Sequence, residues 1–396
     1  MDPYLFNRYQ LKKLIFIVKD LKKYILLVIF MVDTEIYSYE DRVKQIDHID
    51  FGILPNAEKL RISALPKDSI GIDVADLYEN LEPKRGGLID LRLGPSDNNS
   101  DCATCGLNSL YCIGHFGHIE LAEPIFHIGY LPFVKKILSC ICLRCCKLLV
   151  YKNEREIGEM LKNKSGKSRM NEIRNLVKSV TYCQKQYYGC GTPVSKIKLE
   201  IKKSTAAISL ISETDFTTVG EEGGPAAGFE FEGKKKNRQI LTPDIVYDIL
   251  KNISDTDCRI LGLDPEKSRP ENMIQKIFPV PPVQMRPSAK ADFMASSTLE
   301  DDLTHKLADI IKANIRIRKH KETMNEQNAK YIVDNNQLLQ FHGVTYMDND
   351  ALGLRSEQKG KVIKSLGSRL KGKEGRIRSN LMGKFLPEIG QFVLVR

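Results

Sequence analysis

Two pairs of potential metal donors stand close together in the sequence: Cys102-Ala-Thr-Cys105 and, after six residues, Cys112-Ile-Gly-His115. Thiolate and imidazole are the donors zinc prefers, and paired ligands spaced by two residues let two turns grip one tetrahedral ion. All four donors come from the protein, leaving no coordination position for water or substrate. Such a site is a structural staple, not a catalytic centre. A second set follows: Cys142-Leu-Arg-Cys145 repeats the spacing, and Cys183 and Cys190 can complete another tetrahedral site across an inserted segment. Cys140 and Cys146 flank that pair as alternative ligands. The expected cofactor load is two structural zinc ions.

One catalytic reading competes. His118-Ile-Glu120 followed by Cys142-x-x-Cys145 has the outline of a zinc nucleobase deaminase, in which the glutamate moves the proton. Ile141 stands where that pattern wants proline, and a deaminase leaves Cys102, Cys105, Cys112, Cys183 and Cys190 without a role. The structural reading is therefore preferred.

The elements that must position these ligands can be sketched from pattern. A chain of 396 residues, 42% hydrophobic and 28% charged, is globular and too long for one core. Its ten cysteines, in CxxC pairs beside histidine, suit metal ligation in a reducing compartment better than disulfides. Asn56 is placed to cap a short helix with Leu60 on its buried face. Glu154 to Val180 is rich in charges at helical intervals and reads as a solvated helical hairpin between the ligand pairs. Lys196 to Ile211 alternates like a strand, and Thr242-Pro243 opens a helix. The Gly-rich stretch from Glu221 lacks the Lys-Ser/Thr context of a phosphate loop and reads as flexible surface.

Downstream, the prolines of Phe278-Pro-Val-Pro-Pro-Val-Gln-Met-Arg286-Pro force an extended strand that aims a small polar loop at 288–298. Leu303, Leu307, Ile310, Ile311, Asn314 and Ile317 fall on one helical face, and a second pattern runs from Ala329 to Leu339 after a polar break at His320 to Gln327. Two such helices form a hairpin with an exposed tip. Asp348-Asn-Asp350 reads as a turn rather than a magnesium site.

The positive charge is concentrated near the end. Arg355, Lys359, Lys361, Lys364, Arg369, Lys371, Lys373, Arg376, Arg378 and Lys384 face only Glu357 and Glu374, a surplus of 8 out of the chain's net +10. Interspersed glycines let backbone approach phosphates, and no aromatic residue from Arg355 to Lys384 offers a stacking surface. Phosphate-backbone binding without base readout is the inference. At the other end, residues 1–32 read as an atypical extension preceding a natural start at Met31; the nine apolar residues Tyr24 to Val32 are too few for a bilayer core that needs about twenty. No membrane partner is expected.

Taken together, the blocks FGIL at 51, GGLIDLRLG at 86, CATCGLNSLYCIGHFGHIELAEPIFHIG at 102, CICLRCCKLL at 140, RPENMI at 269, PVPPVQMRPS at 279, EDDLTHKLADIIKANI at 300, LLQFHGVTYMDND at 338 and RLKGKEGRIRSNLMGK at 369 carry a resemblance. The chain resembles the N-terminal part of the largest subunit of multisubunit DNA-directed RNA polymerases, in the RNA polymerase II-like form of eukaryotes and large DNA viruses. The resemblance implies an α+β clamp module that carries two zincs and closes over the DNA template and the RNA–DNA hybrid. It implies a zinc-binding core over 33–200, a clamp head over 201–282 with a flexible loop at 220–238, and a lid-like loop over 283–298. A clamp coiled-coil hairpin over 299–348 and the rudder and start of a switch over 349–384 follow, and 385–396 lies outside the family pattern. Implied partners are the second-largest subunit, other polymerase subunits, and initiation and NusG-family elongation factors at the hairpin. The implied location is intracellular: the nucleus or, for a viral protein, host cytoplasm or virion.

Two departures matter. Asn272 stands where the family has tryptophan. After LMGK the family continues with a segment like RVDFSART, whereas this chain turns to Phe385-Leu-Pro-Glu and lacks the NADFDGD loop whose aspartates hold magnesium in the complete enzyme. An interrupted reading frame is the expected explanation, and the fragment alone is expected to be inactive in nucleotidyl transfer. The alternative is a free-standing zinc-stabilised nucleic-acid-binding or decoy protein.

Overall fold

The computed structural model describes residues 52–383, apart from 68, 81, 98–99, 151–153, 165, 186–188, 203–206, 217–234, 291–297, 324–325, 354 and 359. The N-terminal extension, most of the 220–238 loop, Lys359, Lys384 and the 385–396 tail therefore lie outside the described residues.

The chain opens with α1 (Asn56–Ile62) and a small hairpin, β1 (Tyr78–Glu79) with β2 (Glu82–Pro83). The first ligand loop leads into β3 (Gly117–Phe126), followed by α2 (Leu131–Leu138), α3 (Glu154–Leu161) and α4 (Gly166–Val177). Three antiparallel strands come next, β4 (Lys196–Lys202), β5 (Ala207–Phe216) and β6 (Lys235–Leu241), then α5 (Pro243–Lys251) and α6 (Asp255–Leu261). Strand β7 (Ile274–Val280) returns to pair with β3 across roughly 150 positions of sequence, from Gly117 opposite Val280 to Phe126 opposite Ile274. A two-residue ladder, β8 (Ala289–Lys290) with β9 (Thr298–Leu299), precedes two long helices, α7 (Asp302–Glu322) and α8 (Glu326–Met347). The hairpin β10 (Glu357–Gln358) with β11 (Lys361–Val362) and the short α9 (Leu366–Leu370) complete an α+β fold.

Two apolar cores organise these elements. In one, Ile119, Leu121 and Ile125 of β3 and Phe278 and Val280 of β7 pack on Leu303, Leu307, Ile310, Ile311 and Ile317 of α7 and Leu339 and Tyr346 of α8. The α7 stripe read from the sequence is buried throughout, Asn314 included. Asn314 is buried because it has work there: its side chain accepts from the Ala122 N–H at 2.7 Å and donates to Glu120 O at 2.8 Å, where the β3–β7 register slips. Gln340 does the same for Phe126, bonding both its N–H and its carbonyl. The second core gathers α2, α3, α4, α5 and α6 around the second ligand set.

Several local expectations are corrected. Pro55, not Asn56, is the N-cap of α1, the helix buries no residue, and the Asn56 carboxamide instead accepts from Lys59 Nζ. The alternating run from Lys196 is two strands of a hairpin, β4 and β5, registered from Lys196 opposite Glu213 to Lys202 opposite Ala207. The polar break expected at His320 to Gln327 is shorter, because helical structure continues to Glu322 and resumes at Glu326; His320 and Tyr331 stack across it with ring centroids 5.8 Å apart. Thr242 does precede Pro243 at the start of α5, but its side chain makes no capping hydrogen bond.

The two cores meet where α5, β3 and α7 converge. Lys321 of α7 pairs with Glu123 of β3 and donates to Ala122 O at 2.8 Å, while Asp244 of α5 shares a hydrogen bond with Glu123. Burial, then that bond and the Glu123 charge, push the Asp244 carboxyl up to about 7. The folded protein therefore holds a proton that the unfolded chain releases near pH 4, so this stabilisation is complete below about pH 4 and is lost as pH rises through about 7. Asp244→Asn keeps the neutral form at every pH. Urea midpoints for the variant and the parent should agree below about pH 4 and diverge in the variant's favour as the pH rises to 8; a constant gap would contradict the shared proton.

Candidate metal centres and basic surface

Each ligand set is built from the same tight turn. Cys102 N–H donates to Leu107 O and Gly106 N–H to Cys102 O, at 2.9 and 2.8 Å; in the second set Cys142 N–H donates to Lys147 O and Cys146 N–H to Cys142 O, both at 2.9 Å. The residue after the second ligand must turn left-handed: Gly106 has φ 69° and Cys146 has φ 59°. Cys146 thus occupies the backbone position that glycine takes in the first turn, and Cys140 is a buried thiol whose pKa burial pushes up to about 11. The partner turns, Cys112-Ile-Gly114 and Cys190-Gly191, also carry positive φ, at 83° for Gly114 and 77° for Gly191.

The turns bring four donor atoms together in each case. Cys102, Cys105, Cys112 and His115 form one group and Cys142, Cys145, Cys183 and Cys190 the other, with all donor atoms of a group within 4.8 Å of one another. Sulfur atoms of Cys105 and Cys112 are 3.6 Å apart, those of Cys145 and Cys183 3.7 Å, and those of Cys142 and Cys190 3.4 Å. Tetrahedral sulfurs about 2.3 Å from a zinc ion stand about 3.8 Å apart, so both donor sets fit that ion. None of the ten cysteines forms a disulfide.

Electrostatics points the same way. Burial opposes ionisation of Cys190, but bonds from Thr192 and neighbouring thiols outweigh it and bring the group down to about 6. Cys145 beside it is pushed up to about 12 by burial, with the negative charge of Cys142 adding to the effect. Cys112 rises to about 11, again first through burial. Thiols this close cannot all ionise on their own account, whereas a divalent cation among them takes the deprotonated form of each.

His118 belongs to neither group. It is fully buried, with Nδ1 2.7 Å from Ser63 Oγ and Nε2 3.2 Å from Ser69 O. The deaminase outline, which needs His118 and Cys142 at one metal, is thereby overturned. Gly71 and Gly114 explain how the first loop is seated. A side chain at Gly71 would collide with His118 O, and one at Gly114 with Pro282 and Gln284, so the loop rests directly on the proline-rich segment after β7.

The basic residues divide. Arg369 pairs with Asp301, the residue that caps α7, and donates to Met285 O at 2.8 Å. Lys371 reaches Asp348 Oδ2 at 2.6 Å, just beyond the end of α8, and the Lys364 backbone N–H donates to Asp302 Oδ2 at 2.9 Å. Arg355 lies 3.5 Å from Asp350. Lys361, Lys364, Lys373, Arg376 and Arg378 have exposed side chains. Asn349 ties the intervening excursion to the hairpin root by bonding Ser356 N–H and O and Ile363 O. Aspartates 301, 302 and 348 went unrecognised as partners because sequence spacing carries no signal for pairs this far apart.

Comparison with known proteins decides the family. The pattern of the family described as RNA polymerase Rpb1, domain 1, matches residues 43–381. The chain belongs to that family. It is also 50% identical over 349 residues to DNA-directed RNA polymerase subunit 1 of Acanthamoeba polyphaga mimivirus, an alignment that takes in 87% of this chain and 23% of the viral protein. The chain thus spans less than a quarter of that relative's length and corresponds to the N-terminal part of a polymerase largest subunit. No helix among the described residues is long and apolar enough to cross a membrane.

Proposed function

We propose that this Rpb1-family chain is the clamp portion of a DNA-directed RNA polymerase largest subunit and helps retain the DNA template and RNA–DNA hybrid during transcription. In this reading zinc occupies both donor sets. The 283–298 segment is the lid, 299–348 the clamp coiled coil that receives initiation and elongation factors, and 349–384 the rudder and the start of a switch. The observation that carries the reading is the attachment of the basic segment to both roots of the hairpin, through Asp301–Arg369 at one end and Asp348–Lys371 at the other. A module that must grip phosphates while it pivots gains from having its cations fixed to its lever. The cations that remain exposed then do the gripping, Arg376 and Arg378 foremost, without base readout.

Nucleotidyl transfer belongs in this reading to the complete polymerase, with magnesium held by aspartates outside this chain, in the nucleus or, for a virus, in host cytoplasm or virion. The experiment is twofold. A tagged chain recovered from the cells that make it should bring the second-largest subunit with it; recovery as a lone nucleic-acid-binding protein would sink the proposal. In vitro, Arg376→Ala with Arg378→Ala should weaken binding to an RNA–DNA hybrid equally across sequences and reduce the slope of log affinity against log salt by about two.

A further inference from the structure

The loop of the first donor set turns its apolar side chains into solvent. Ile113 is 90% exposed and Leu110 80%, with Leu107, Tyr111 and Phe116 exposed beside them. One outward apolar residue is ordinary on a protein surface, but five between Leu107 and Phe116 form a patch of the kind that another molecule covers. Each of the five lies within two residues of Cys105, Cys112 or His115, whose donor atoms are all within 4.8 Å of one another. The patch is therefore one small projection.

The backbone that bears these side chains is fixed, so they do not fold inward. Asn108 O accepts from the N–H groups of Tyr111 and Cys112 at 3.2 and 2.9 Å, and Asn108 Oδ1 accepts from Leu110 N–H at 3.2 Å. Leu107 O is held by Cys102 N–H, and Gly114 is wedged against Pro282 and Gln284. A loop held in this way gives up little conformational entropy when a partner covers it. Charge then selects the partner. From Leu93 to Val134 the chain has no lysine or arginine, and neither has the segment from Phe278 to Met285 on which the loop rests. Arg92, the nearest cation before the loop, is bound to Asp90 at 2.6 Å. Asp101 is exposed beside Cys102, and three thiolates with one neutral imidazole around a zinc dication leave a further negative charge. The phosphates of nucleic acid or of an anionic membrane would meet negative charge here and no lysine or arginine from these segments.

We propose that this projection docks into a partner protein through a surface that is apolar and carries lysine or arginine, with Leu110, Tyr111 and Ile113 as the buried contacts and Asp101 at the cationic edge. The inference goes beyond the clamp reading and does not depend on it. It gives the first donor set a use besides bracing: the set displays apolar residues that a freer loop would bury. A second copy of this chain is the rival occupant, because Leu370, Ile377, Leu381 and Met382 are exposed in its own basic segment.

Photocrosslinking with defined peptides tests it. The 396-residue chain loaded with zinc is mixed with an amphipathic leucine–lysine peptide of about fourteen residues that carries a central benzoylphenylalanine. After irradiation and digestion the adducts are mapped by mass spectrometry. Adducts are expected on residues 107–116, about tenfold above those of a leucine–glutamate peptide and of an alanine–lysine peptide. Leu110→Ser with Ile113→Ser should lower the yield about tenfold, and because both side chains are exposed, zinc content and circular dichroism should match the parent. Asp101→Lys should also lower it. Cys102→Ser with Cys105→Ser keeps all five apolar side chains but frees the loop, and should lose the adduct as well. Equal labelling by the glutamate peptide, full yield in any of these variants, or no adduct on 107–116 overturns the proposal. So does labelling of Tyr111 by a single strand carrying 4-thiouridine, which would assign the loop to nucleic acid. Sedimentation velocity decides against the second copy: self-association that Leu110→Ser with Ile113→Ser abolishes would overturn the partner assignment.

Discussion

Replacing Cys142 and Cys145 with serine is expected to remove one metal ion per chain and to unfold the core built on α2, α3, α4, α5 and α6, whereas Cys102→Ser with Cys105→Ser removes one ion and only loosens a loop. The difference lies in where the ligands sit. Cys142 and Cys183 are members of an apolar cluster with Val134, Ile137, Leu149, Ile173 and Val246, so parting the ligands opens that cluster to water. The first loop carries its apolar side chains outward: Leu110 is 80% exposed, Tyr111 72% and Ile113 90%. It is tied down mainly by His115 N–H to Leu93 O and Ala103 N–H to Leu91 O, at 3.0 and 3.1 Å. Apparent binding energies of structural zinc are roughly 10–16 kcal/mol. Whole domains are stable by only about 5–15 kcal/mol. Loss of an ion wired into a core is therefore decisive, and loss of one at the rim is not. Metal analysis with far-ultraviolet circular dichroism and a urea titration makes the comparison. Native-like unfolding in the second-site variant, or equal collapse in both, would refute this ranking.

The two candidate donor groups were legible in the sequence because local turns bring them together: two-residue spacings and left-handed glycines leave a linear trace. Helix α7 was legible because its burial repeats with helical period, whereas Val333, read onto the apolar face of α8, is 54% exposed. What the sequence hid was pairing over distance. Arg369 and Lys371 look like phosphate binders beside Lys373 and Arg376, yet their partners Asp301 and Asp348 stand 68 and 23 positions away. A count of cations cannot tell a charge already neutralised by the fold from one left for a ligand. The Lys196 run was misread for a related reason. A single alternating pattern cannot show that the chain reverses, and here Lys202 of β4 stands opposite Ala207 of β5.

Arg286→Ala is the other change expected to be severe, with a loss of about 3–5 kcal/mol of stability. Sequence placed Arg286 at the start of a polar loop, but it is 1% exposed and is a root of that loop. Its Nη2 donates to Leu88 O, its Nε to Pro281 O at 3.2 Å, and its Nη1 to Thr304 Oγ1 at 3.2 Å. One planar guanidinium thereby joins the turn before the first ligand loop, the proline-rich strand end and the first turn of α7. Burial lowers its pKa to about 10, which still leaves it charged at neutral pH, with carbonyl dipoles rather than a carboxylate in direct contact. Alanine would strand two buried carbonyls and open a cavity. Lysine, a point charge on a flexible stem, cannot satisfy three acceptors in different directions and should lose most of the same energy. Methionine fills the volume without carrying the charge, so it should fall between alanine and the parent. Urea midpoints for the three variants test this order. The same series measures whether the β8–β9 ladder opens, since protease cleavage between Lys290 and Thr298 should accelerate in step with the loss of stability. Should methionine prove as stable as arginine, the guanidinium would be filling space, and the three-way junction would owe its rigidity to packing alone.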